Sequence, residues 1–221
     1  MHLADIQKSY DLIVSLGSAC DPAAHLRQRG LRKYSMPFDW VVTNTIPIVS
    51  RVIANDYEEF MDFKNLTLDQ GNAIFNDEDD GVNGEYSQKL KSYFVKDNKY
   101  DVLSVHDFPI VEGKAWDATY PIFRERLDRR VRRLRADLTQ SKSILFIRWA
   151  GALADAVDLY STLKSKTSGE ANLLVLCPVD GASGVGPDIS SVDGVCYVQV
   201  PNRPADDGLW DEVLKGISLR S

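Results

Sequence analysis

From residue 144 onward the chain alternates between two kinds of segment, and this constrains the fold more than any other feature. Residues 144–149, 173–177 and 195–200 are short, unbroken apolar runs. Residues 151–164 and 207–217 carry helical patterning. A strand that is apolar on both sides needs cover on both sides. Such strands alternating with helices predict a mostly parallel sheet with helices above and below it. Residues 10–16 and 100–105 read as further strands of this kind. The expectation is a three-layer α/β fold in which residues 1–221 form a single domain. Residues 65–100 differ, with short strand-like pieces around the acidic run 77–81 and the turn signal Asn83-Gly84. They read as a small inserted hairpin or loop region.

The chain is 44% hydrophobic, with four Trp, nine Tyr and eight Phe, which suits a packed core and excludes general disorder. A net charge of −6 supplies no basic field for nucleic acid or an anionic membrane. Three Cys without a close pair exclude a disulfide framework and a Cys-based zinc site. No metal is expected, and this cysteine usage fits a reducing cytoplasm. The N-terminal residues lack a signal-peptide pattern, and no apolar run approaches the roughly 20 residues of a membrane span. A cytoplasmic protein acting on a small molecule or glycan is expected, with its oligomeric state open.

The chemistry collects where the expected strands end, because ligands bind beyond the carboxyl ends of open parallel sheets. Ser15-Leu16-Gly17-Ser18-Ala19-Cys20 follows the first strand and runs into Asp21-Pro22. A thiol at a helix N-terminus meets unpaired backbone N–H groups that favour a thiolate and could hold an oxyanion. Cys20 is therefore the candidate nucleophile, with Ser18 beside it in the substrate-binding turn. His106-Asp107 follows the strand at 100–105 and supplies a candidate base. Cys–His oriented by a third group is the minimal apparatus of thiol catalysis. Asp39, between Phe38 and Trp40, and Asp107 are both candidates for that third group. Arg148 follows the apolar residues 144–147, so it reads as an anion-binding group for substrate or acyl donor, or as a structurally paired cation, and Arg129 and Asn202 are further candidates for binding an anionic or polar part of the substrate. Cys177 and Cys196 sit inside apolar strands and read as core, and His25 reads as a packing residue. Residues 181–186 lack the Lys-Ser/Thr of a phosphate loop.

Ser15-Leu16-Gly17-Ser18-Ala19-Cys20, Met36-Pro37-Phe38-Asp39-Trp40, His106-Asp107-Phe108, Arg129-Arg130 and Leu145-Phe146-Ile147-Arg148 occur in that order. Together they resemble a bacterial family of unknown function labelled "putative papain-like cysteine peptidase". The resemblance covers roughly residues 10–150. It implies Cys20 as nucleophile, His106 as its base, and Asp39 or Asp107 as the third member. Papain-type enzymes place the Cys on a helix beside a separate antiparallel half. The Gly-Ser-x-Cys start also looks like the first block of Ser-type esterases with a flavodoxin-like fold. It is similar too to capsule-biosynthesis proteins with a Gly-Asn-Cys start, which are associated with coenzyme A. The leading expectation is a cysteine-dependent hydrolase or acyltransferase that requires no cofactor, with a coenzyme A thioester as one possible acyl donor. The alternatives are a papain-like peptidase, and a non-enzymatic module that binds a nucleotide-like or glycan ligand.

Overall fold

The computed structural model describes residues 1–75 and 90–220. After a 3-10 turn at Leu3–Ile6 come β1 (Ser9–Tyr10), β2 (Leu12–Ser15), α1 (Asp21–Gln28), β3 (Val41–Val42) and α2 (Ile46–Ala54). Then follow β4 (Leu66–Ile74), β5 (Lys91–Asp97), β6 (Val102–Pro109) and the long α3 (Tyr120–Gln140). The last third is β7 (Ser143–Trp149), α4 (Leu153–Lys166), β8 (Glu170–Val179), β9 (Val195–Pro201), α5 (Asp207–Val213) and β10 (Ser218–Leu219).

The strands β2, β7, β8 and β9 form a parallel sheet in the order β2-β7-β8-β9. Register is set by pairs such as Val14 with Phe146, Phe146 with Leu173, and Leu173 with Val195. Its side chains divide between two cores, as period-2 geometry requires. Leu12, Val14, Ile144, Phe146, Leu173 and Val175 join Val49, Val52, Ala156 and Leu159 on the side of α2 and α4. Ile13, Leu145, Ile147, Leu174 and Leu176 join Leu26, Trp210 and Val213 on the side of α1 and α5. This is the expected three-layer α/β arrangement.

A second sheet departs from the expected pattern. The strands β3, β6, β5 and β4 pair antiparallel in that order. The strand expected at 100–105 is β6, and it belongs to this sheet. The reason is connection length. Only residues 98–101 separate β5 from β6, whereas a parallel crossover takes a dozen residues or more. The region read as an insertion supplies β4 and β5 of the same sheet, while the acidic run 77–81 and Asn83-Gly84 lie outside the described residues. The parallel β1–β10 pair closes the chain ends together. Among the described residues, no helix is long and apolar enough to cross a membrane.

Candidate active site

Cys20 reaches its position through a tight turn at the end of β2. Leu16 donates its N–H to Ile147 (2.8 Å), Gly17 accepts from the Trp149 N–H (3.3 Å), and Ser18 accepts from the Thr43 N–H (3.1 Å). Gly17 has φ 71°, and a Cβ there would stand 2.9 Å from the Phe38 carbonyl oxygen, so only glycine fits the turn. Ser18 has φ 94°, a costly conformation for a residue with a side chain. Cys20 then caps α1 without spending its thiol on a capping hydrogen bond. Among the described residues no main-chain acceptor takes the backbone N–H of Asp21, and that of Cys20 faces its own thiol, so both point where an oxyanion would develop.

His106 comes from the other sheet. Tyr93 pairs with Phe108, but Val95 pairs with Ser104. One residue of β5 therefore faces three of β6, and His106 is the middle one. Such a bulge takes a side chain out of the ladder and re-aims it. His106 Nε2 lies 3.0 Å from Cys20 Sγ, and its Nδ1 lies 2.6 Å from the Ile74 carbonyl oxygen. A carbonyl only accepts, so the neutral ring carries its proton on Nδ1. Nε2 is then bare and accepts the thiol proton. Trp40 stands edge-on to the ring, with centroids 5.8 Å apart at 83°.

The thiol is not a standing thiolate. Burial, followed by the negative charges of Asp21, Asp107 and Asp39, pushes Cys20 up to about 12. Its own backbone N–H pulls the other way but does not prevail. This corrects the expectation that the helix N-terminus would lower the thiol. Cys20 therefore needs a base to ionise it at neutral pH, and the contact with Nε2 provides one.

The two carboxylates expected to orient His106 do other work. Asp107 Oδ2 accepts from Ser104 Oγ (2.7 Å), and its Oδ1 pairs with Arg130 Nη1 (3.1 Å). Asp39 Oδ2 accepts from Arg32 Nη1 and from the Met36 N–H, both at 2.8 Å. Asp39 is fully buried, and burial outweighs its pairing with Arg32, so its carboxyl is raised to about 6. The place of the third member is taken by the main-chain carbonyl of Ile74.

Arg148 is likewise corrected. It is 0% exposed, and its guanidinium donates to the carbonyls of Leu16 (Nη1, 2.9 Å), Thr43 (Nη2, 2.7 Å) and Ala150 (Nε, 3.3 Å), and to Thr43 Oγ1. Burial lowers it to about 9, so it remains a cation at neutral pH. It faces the fold, not a ligand. Asn202 is exposed at the end of β9 and bonds Asp180 at 3.2 Å. Three strand spacings separate β9 from β2, about 14 Å across the sheet. Arg129 lies half-buried on α3, one residue before the Arg130 that holds Asp107. Ser18 contributes its backbone to the turn. The structure thus brings Cys20, His106 and Ser18 into one turn-and-bulge site. Asp39 and Asp107 lie close enough to affect the thiol's charge without bonding the base.

Sequence reasoning missed Trp40, read as core, and Thr43, which links Arg148 to Ser18. It also missed Ile74, whose contribution is a carbonyl and so leaves no mark in residue type. Among the described residues no group of three His, Cys, Asp or Glu is placed to hold a metal. All three Cys are free thiols.

Comparison with known proteins places the chain among relatives. An uncharacterized protein of Acanthamoeba polyphaga mimivirus is 31% identical over 139 residues, which is 62% of this chain and 60% of the viral protein. The chain thus spans about three fifths of that relative's length. No solved structure matches the chain. A family profile described as "Putative papain-like cysteine peptidase" matches residues 11–174, from β2 into β8, and takes in Cys20, Trp40, Ile74, His106 and Arg148. With most of its length inside that match, the chain belongs to this family.

Proposed function

We propose that the protein is a cysteine hydrolase that cleaves an amide or ester through a Cys20 thioester. His106 Nε2 takes the thiol proton as Sγ attacks the substrate carbonyl carbon. The oxyanion so formed is received by the backbone N–H groups of Cys20 and Asp21 at the start of α1. The tetrahedral intermediate collapses when the imidazolium returns the proton to the leaving amine or alkoxide. Nε2 then deprotonates a water that attacks the thioester, which releases a carboxylic acid and restores the thiol. Through both halves the Nδ1–H bond to Ile74 fixes the ring's orientation and tautomer. The observation that carries this reading is the continuous line from Sγ to Nε2 and from Nδ1 to the Ile74 carbonyl.

Two further observations support hydrolysis over transfer from an acyl-coenzyme A. Arg148, expected to bind an anionic group of the substrate or acyl donor, is occupied by carbonyls. A nucleophile at a helix N-terminus facing a base on an antiparallel sheet is also the division of labour that papain-type enzymes use. A peptide bond is accordingly the first amide to try as substrate.

The test is trapping. The protein is mixed with an activated ester such as p-nitrophenyl acetate at pH 7 and its intact mass followed. A transient acyl adduct on Cys20, absent in Cys20→Ser and decaying slowly in His106→Gln, supports the mechanism. Absence of any adduct, together with ordinary-thiol reactivity toward iodoacetamide, sinks it. A parallel incubation with acetyl-coenzyme A reads out the transfer alternative.

A further inference from the structure

We infer that Arg148 is a positioning residue for Cys20: its buried guanidinium joins the end of β7 to Leu16 and Thr43 and so holds the nucleophile turn against the sheet that carries His106. This rests on the reading of Cys20 and His106 given above.

Two chains of contacts run from the same side chain. Toward the nucleophile, Nη1 holds the Leu16 carbonyl, and Leu16 is the residue before Gly17. Toward the base, Nη1 and Nη2 hold the hydroxyl and carbonyl of Thr43. Thr43 follows β3, whose Val42 pairs with Leu103 of the strand carrying His106. Thr43 closes the circuit by donating its N–H to the Ser18 carbonyl at 3.1 Å, two residues before Cys20. The Trp40 carbonyl meanwhile accepts from the Val105 N–H at 3.2 Å, next to His106.

The chemistry of the group fits this task. Arg148 makes its hydrogen bonds to carbonyl and hydroxyl oxygens, and burial alone accounts for its lowered proton affinity. A buried cation compensated, among the described residues, only by dipoles is a poor way to gain stability, since an apolar side chain of similar volume avoids the desolvation cost. What the guanidinium adds is direction. Its rigid planar fork addresses Leu16, Thr43 and Ala150 at once, on three separate segments, which an ammonium on a flexible stem cannot do. A Cys–His contact across two sheets depends on their relative placement. A misplacement of about 1 Å at such a site can cost a factor of order a hundred in rate.

The test uses Arg148→Lys and Thr43→Val in the full chain. Iodoacetamide alkylation of Cys20 is measured from pH 5 to 11, with near-ultraviolet circular dichroism and thermal unfolding to establish folding. The wild type is expected to react at neutral pH, because His106 ionises the thiol far below its own range. Folded Arg148→Lys should lose at least about tenfold of that neutral-pH rate while keeping the direct, hydroxide-driven rise at high pH. Thr43→Val should lose several-fold in the same way. A wild-type pH profile in folded Arg148→Lys overturns the proposal. If Arg148→Lys does not fold, Thr43→Val decides by the same criterion. Failure of the wild type to react at neutral pH would instead count against the Cys20–His106 reading itself, so the two failures are distinguishable.

Discussion

His106 Nδ1 points at the main-chain oxygen of Ile74, 2.6 Å away, and this bond decides the tautomer of the base. The Ile74 side chain itself is 69% exposed and plays no part in the contact. Ile74→Ala should therefore leave the neutral-pH alkylation rate of Cys20 within about twofold, since the carbonyl survives the substitution. His106→Gln should lower that rate by two to four orders of magnitude, roughly the contribution of a positioned general base. Mass-detected alkylation at pH 7 measures both.

Asp107→Asn and Asp39→Asn separate a carboxylate triad from the carbonyl arrangement. Loss of a true orienting carboxylate costs a factor of about ten thousand in a serine protease. Here each variant should keep the alkylation rate within about tenfold. Asp107→Asn should instead destabilise the fold by a few kcal/mol, because it removes a carboxylate that pairs with the buried Arg130 at 3.1 Å. Denaturant unfolding measures the second effect. A drop of a thousandfold or more in reactivity with an intact fold would restore the aspartate as orienter.

The raised carboxyl of Asp39 makes stability depend on pH with a definite sign. Its folded value of about 6 lies above the ordinary aspartate range, so the folded state holds the proton more tightly than the unfolded state. Above about pH 6 the full cost of the buried carboxylate is present, and it is relieved as pH falls from about 6 toward 4. Stability of the wild type relative to Asp39→Asn should therefore increase as pH is lowered through that window. Urea unfolding of both proteins at pH 7 and pH 4.5 reads the difference. A constant difference would remove Asp39 as the titrating group.

Gly17→Ala meets both a positive φ and a carbonyl oxygen at 2.9 Å. It should destabilise the protein by about 1–3 kcal/mol and slow Cys20 alkylation, since relief of the clash moves the nucleophile turn. Melting temperature and alkylation rate, taken together, check it.

The parallel half of the fold was legible because its apolar strands and intervening helices have separate periods. Cys20 was visible from its Gly-Ser preface and helix start, and His106 from its place beside a strand. The second sheet was harder to see, because β3 has only the two residues Val41 and Val42, and pairing direction is not written in a strand's own composition. The bulge that aims His106 comes from a register difference between β5 and β6, which neither strand shows alone. Arg148 was singled out correctly as an unusual cation among apolar neighbours. Its partners are carbonyls, and main-chain oxygens look the same beneath every residue type.

The pairing of β2 with β7 has a consequence for the order in which the site comes into being. Cys20 and His106 both precede residue 110, yet the strand that leads to Cys20 is held by residues 144–147. A chain emerging from the ribosome with both reactive groups already made still lacks the strand that fixes one of them. Reactivity should therefore switch on only after residue 149 has emerged, and nascent or truncated chains should carry an ordinary thiol. The long separation between paired strands thus ties assembly of the site to the synthesis of β7.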